Sequence, residues 1–178
     1  TNKLTEVLNF YISAYEDEMN QIWAAKLGLS DFRAKDAELI SELNELLQLT
    51  ETDMTIFFRE LGKCEVPNIE NLEFAFYDIE SIPKEEWNSW LEKWWNRVDS
   101  SPDRELMMRT NPKYVLRNWM AQLAIDAAEE EDYSICEELY ELLKRPYDEQ
   151  PVFQDKWYQK RPDWAKNRVG CSMLSCSS

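Results

Sequence analysis

The chain has 178 residues, 44% hydrophobic and 13% aromatic with eight Trp, which suffices for one ordinary domain and excludes a disordered chain. Lys and Arg number 20 against 35 Asp and Glu, a formal charge of −15 that repels a phosphate backbone and argues against nucleic-acid partners. His is absent and Gly occurs three times, which excludes HExxH zinc sites, imidazole-based triads and Gly-rich phosphate loops.

In chain order the elements are helical. Leu4, Val7, Leu8, Tyr11, Ala14, Tyr15, Met19, Ile22 and Trp23 recur at three and four, one face of a first helix that Gly28 ends. A second runs from about Asp36 with Leu39, Ile40, Leu43, Leu46 and Leu47 inward. Thr52 has the form of an N-cap for a third, Asp53 to Leu61, stopped by Gly62. Residues 64–82, with Pro67 and no sustained period, read as an exposed connection. Pro83 suits the first turn of a fourth helix bearing Trp87, Trp90, Leu91, Trp94 and Trp95, an aromatic stripe expected to be core. One of the adjacent pair Trp94 and Trp95 is expected to be exposed. Ser100, Ser101 and Pro102 break that helix. Asn111-Pro112 has the N-cap-then-Pro form and starts a fifth, with Val115, Leu116, Trp119, Leu123 and Ala127 inward. A sixth contains Ile135, Cys136, Leu139, Leu142 and Leu143. The expected fold is therefore all-α, an irregular helical bundle over residues 1–145. Residues 146–178, with Pro146, Pro151 and Pro162, form an irregular tail ending in cysteines.

Charge is uneven along the chain. Residues 144–178 hold seven bases and four acids, net +3, so residues 1–143 carry net −18, and the tail is placed to wrap back on an acidic body. The acidic runs at Glu16-Asp17-Glu18 and at 129–132 fan around their helices and read as solvated surface. No metal-ligand spacing is present. Cys64 and Cys136 read as buried free thiols. Cys171 and Cys176 lie among small residues near the C-terminus, which leaves their thiols accessible. No apolar run approaches the roughly 20 residues of a membrane span, and no secretory or transit signal is visible, so no membrane partner is expected. Beginning on Thr1, the chain is expected to be a processed or excised piece.

Asn111-Pro-Lys-Tyr-Val-Leu-Arg-Asn-Trp-Met-Ala-Gln122 and Leu142-Leu-Lys-Arg-Pro-Tyr-Asp148 resemble the C-terminal part of the selenoprotein O family of protein adenylylyltransferases. Lys26-Leu-Gly-Leu29, residues 52–58 and the ending Ser175-Cys176-Ser-Ser178 are similar to that family as well. The resemblance implies the C-terminal lobe of a protein-kinase-like fold. It also implies a parent that uses ATP and Mg to transfer AMP to Ser, Thr or Tyr hydroxyls of protein substrates. The family's ATP-gripping and metal-binding motifs match no position here, so no catalytic, cofactor-binding or metal-binding residue is expected in this chain, nor activity from it alone. Its implied partner is the N-terminal kinase-like part of the same protein. Cys176 matches the family's near-terminal Cys or selenocysteine and is implied to be a redox switch, with Cys171 as a second thiol five residues earlier. The family's members are mitochondrial in eukaryotes and cytosolic in bacteria. The alternative from another class is a stand-alone helical interaction module.

Overall fold

The structure, a computed structural model, describes residues 2–171. It is all-α: among the described residues eight α-helices and two 3-10 segments alternate with loops, and the extended pairing is an isolated antiparallel bridge between Thr52 and Phe76. Packing divides the chain between Asn111 and Pro112 into two compact units.

The first unit holds α1 (Asn2–Lys26), α2 (Asp36–Leu49), α3 (Met54–Leu61), a 3-10 segment (Ile69–Ala75), α4 (Lys84–Arg97) and α5 (Arg104–Thr110). Its core is the tryptophan face of α4. Trp87, Trp90, Leu91 and Trp94 are buried, three and four apart, against Leu39 and Leu43 of α2, Ile56 and Phe57 of α3, and Leu72 and Phe76. The rings of Phe57 and Phe76 lie 5.3 and 5.2 Å from that of Trp87, and Trp90 stacks on Trp94 at 6.3 Å. Two indoles also fix the backbone: Trp90 Nε1 donates to the Leu39 carbonyl and Trp94 Nε1 to that of Leu27, each at 2.8 Å. The expected exposed tryptophan is not found. Trp94 is fully buried and Trp95 half-buried, because the two rings tilt together at 5.7 Å instead of diverging.

Four further expectations change. Asp53, not Thr52, caps α3, its carboxylate accepting from the Ile56 amide at 3.1 Å, while Thr52 bonds the Thr50 hydroxyl. Residues 64–82 are no exposed tip: Ile69, Leu72 and Ala75 repeat at three, the 3-10 period, and all are buried. The short helix α5, capped by Asp103 through the Leu106 amide at 2.9 Å, had no sustained period to reveal it. Most consequential is α1, whose apolar residues Leu4, Val7, Leu8, Tyr11, Tyr15 and Ile22 share the face that their spacing predicts but are exposed.

The second unit holds α6 (Asn118–Glu129), α7 (Ser134–Leu143), α8 (Pro151–Trp157) and a 3-10 segment (Asp163–Ala165). The helix expected from Asn111-Pro112 begins only at Asn118. The Lys113 and Tyr114 amides both donate to the Pro146 carbonyl, at 2.8 and 3.0 Å, which holds residues 113–117 out of helix. Trp119, Met120 and Ala124 face inward, whereas Leu116 is exposed. Residues 146–171 pack with α6 and α7. Trp157 tilts against Trp119 at 5.8 Å, Lys156 pairs with Glu138 and Arg168 with Asp126, both at 2.8 Å. Basic residues of the C-terminal stretch do fold back on acids, those of α6 and α7.

Candidate functional site

Four cysteines carry the chemistry that the sequence singled out, and their surroundings differ. Cys176 lies outside the described residues. Cys171 is buried, where an accessible thiol was expected. Its amide donates to the Arg168 carbonyl at 3.1 Å, a turn made possible by Gly170 at φ 87°, a left-handed angle that favours glycine. Cys136 is exposed rather than buried: α7 turns Leu139 and Leu142 inward, while the Cys136 thiol reaches the Ala124 carbonyl of α6 at 3.9 Å from the rim of that contact. Cys64 is buried as expected; desolvation pushes its thiol up to about 11, Glu60 adds to the rise, and Arg104 opposes it. None of these three is in a disulfide.

In the first unit Lys26, Arg59 and Asn111 form a polar cluster that sequence reasoning missed. Lys26 Nζ donates to Asn111 Oδ1 at 2.8 Å while Asn111 Nδ2 returns a bond to the Lys26 carbonyl at 2.9 Å. The same ammonium lies 4.0 Å from the Phe58 ring centroid, and burial holds it below the ordinary lysine range. Arg59, buried in α3, donates to the carbonyls of Met108 and Asn111 at 2.7 and 3.0 Å. The cluster ties three helix ends together. In the second unit Lys113 is fully buried, bonded to Glu149 Oε2 at 2.6 Å and Gln154 Oε1 at 2.7 Å, with the Tyr158 ring 4.8 Å away. An interruption in an apolar run was the available signal for Arg59. Lys113 and Lys26 had none.

The surface grooves of the first unit test the fit of a magnesium triphosphate. A groove of about 500 Å³ between α2 and α4 is lined by Glu42, Glu45, Glu85, Glu86 and one cation, Lys93, which is committed to Glu42 at 2.6 Å. A second, of about 260 Å³, includes Arg97, whose guanidinium is already engaged: Nε and Nη2 donate to the Asp36 carboxylate at 2.6 and 2.9 Å, and Nη2 also reaches the Asp31 carbonyl at 2.8 Å. The bond to Asp36 chiefly holds Arg97 above its usual range. Asp31, in the Asp31-Phe32-Arg33 sequence, is held below the usual carboxylate range, first by its bond from Arg33. It anchors a surface ion-pair corner. Among the described residues no three His, Cys, Asp or Glu side chains gather as a metal-binding group. Four carboxylates and one committed cation in the α2–α4 groove do not fit a polyphosphate.

The sequence profile described as "SelO: Protein adenylyltransferase SelO" matches residues 1–144. The chain belongs to the SelO family. Proteins named "Protein nucleotidyltransferase YdiU" align along nearly all of it: 48% identity in Flavobacterium johnsoniae over 100% of this chain, 44% in Aromatoleum aromaticum over 98%, and 42% in Rhodopirellula baltica over 99%. It spans 36%, 35% and 38% of those relatives, little more than a third of each. All three relatives are bacterial. No described helix is long and apolar enough to cross a membrane.

Proposed function

We propose that this chain is the C-terminal part of a SelO-like protein AMP transferase, where it supports a kinase-like catalytic lobe and does not itself grip ATP. The observation that carries this reading is the family match over 1–144 combined with an α2–α4 groove lined by four carboxylates and one already-paired cation. In the parent, ATP and Mg supply the AMP donor, and the acceptors are Ser, Thr or Tyr hydroxyls of protein substrates. The present residues contribute scaffold: the Lys26–Asn111–Arg59 cluster and the tryptophan core of α4 hold one rigid unit. The bacterial sources of the relatives favour a cytoplasmic parent over a mitochondrial one. Calorimetric titration tests the division of labour. The chain alone is expected to give no heat of binding with MgATP, and the intact parent to bind and transfer AMP. Micromolar binding to the chain alone refutes the reading.

The redox element of the proposal rests on Cys176, whose position matches the family's near-terminal Cys or selenocysteine, with its bridging partner in the catalytic part. Cys171 is a weaker candidate, since its burial hinders the exchange chemistry that needs an accessible thiolate. Peptide mapping of the oxidised parent under non-reducing conditions is expected to find one bridge using Cys176. A bridge that omits it removes the switch.

A further inference from the structure

Helix α1 has two ends with different fates. At about 100° per residue, Leu4, Val7, Leu8, Tyr11, Tyr15 and Ile22 fall in one stripe running the length of the helix. Ala24 and, just past the helix, Leu27 fall on the opposite side, and these are the ones buried in the first unit. Residues 3–18, Ala14 excepted, are exposed on every side, and the unit covers α1 only from Met19 onward, which leaves the apolar stripe bare. Leu4 is 81% exposed, Val7 68%, Tyr11 64% and Tyr15 55%. Phe10 at 76% and Ile12 at 46% widen the bare surface, so that residues 4–15 are apolar most of the way round. Such a helix belongs in an interior.

The size of the surface points the same way. Phe10, Tyr11 and Tyr15 alone, each worth about 150–250 Å² when fully covered, leave on the order of 300 Å² bare. With the four aliphatic residues the patch exceeds the few hundred Å² that single soluble chains usually show, and marks an interface.

We propose that the α1 stripe is a docking surface within the intact transferase, occupied by an apolar face of the remainder of the same polypeptide. This rests on the reading of the chain as part of a SelO-like transferase. Two observations select that occupant. A relative 48% identical along the whole of this chain carries nearly twice as much additional polypeptide, which supplies a covering partner at high effective concentration. A second copy is disfavoured by charge, since residues 1–143 carry net −18 and Glu16, Asp17 and Glu18 ride on the same helix.

Hydroxyl-radical footprinting of the intact transferase reads side-chain exposure without a mutation. Tyr11, Tyr15, Leu8 and Phe10 are expected to be modified several-fold more slowly than in the same protein unfolded in urea, independently of protein concentration. Modification at the unfolded rate overturns the proposal. Protection that disappears on dilution, in step with a dimer-to-monomer shift in sedimentation, overturns it in favour of self-association. The footprint is independent of AMP transfer, so an inactive but protected protein refutes the catalytic reading alone. An active protein with a bare stripe refutes the docking surface alone.

Discussion

Gly28 and Gly62 look equivalent in the sequence, each closing a helix, and the structure predicts opposite responses to alanine. Gly28 sits at φ +69°, and a Cβ there would lie 2.8 Å from Met107 Sδ, 3.0 Å from its Cγ and 3.1 Å from the Asp103 nitrogen. That nitrogen donates to the Gly28 carbonyl at 3.1 Å, and Met107 is buried, so neither neighbour has room to retreat. The left-handed backbone costs an L-residue about 1–2 kcal/mol. Overpacking a filled site adds about 1–3 kcal/mol. Gly28→Ala is therefore expected to lose about 2–5 kcal/mol, and with an m-value of about 2 kcal/mol/M its urea midpoint falls by about 1–2.5 M. Gly62 is at φ −65° and ψ −16°, ordinary helical angles, and its added Cβ meets chiefly the Met108 methyl, 2.8 Å away at the free end of a flexible side chain. Gly62→Ala is expected to move the midpoint by less than about 0.5 M, since lost unfolded-state freedom offsets the adjustment. Circular dichroism at 222 nm through a urea series reads both. Equal losses in the two variants, or an unchanged midpoint for Gly28→Ala, refute the reasoning. Adding Met107→Ala to Gly28→Ala should recover the crowding part, so that the double variant loses less than the two singles together.

Three further outcomes follow from the same geometry. Trp90→Phe and Trp94→Phe each strip a buried carbonyl of its donor, whereas the Trp87 indole nitrogen has no partner among the described residues; Trp87→Phe should be the mildest of the three by about 1 kcal/mol in urea unfolding. Of the three described cysteines, Cys136 should react first and Cys64 last under iodoacetamide near pH 8, read by peptide mass spectrometry, because a buried thiol raised to about 11 is thiolate in roughly one molecule per thousand. Lys26 is lowered in the fold, so the native state sheds its proton before the unfolded chain does; stability relative to Lys26→Met should rise with pH between the folded value and 10.5 and level off above it, and a flat difference across that window refutes the assignment.

Helix content and the tryptophan core were legible because they depend on local periodicity. Trp87, Trp90, Leu91 and Trp94 repeat at three and four, and all four are buried as that spacing requires. The 3-10 segment at 69–75 and α5 were not legible, since seven residues give too few turns for a period to stand out. The start of α6 was misplaced for another reason. The Asn111-Pro112 signal is locally sound, but the Pro146 carbonyl, more than thirty residues away, claims the Lys113 and Tyr114 amides. Periodicity identified the apolar face of α1 correctly, yet it carries no information about which body covers that face. Among the candidate site residues, the sequence singled out thiols by type and position. Burial of Cys171 and exposure of Cys136 follow from turns and helix rotation that position alone does not encode.

The line of indoles in α4 has an optical consequence. Trp87, Trp90, Trp94 and Trp95 stand in file with successive ring centroids 6.4, 6.3 and 5.7 Å apart. Light absorbed by any one of them migrates to its neighbours before it is emitted, so the four behave as one depolarised chromophore. With Trp23, Trp119, Trp157 and Trp164 replaced by Phe, emission polarisation would report the integrity of that file alone.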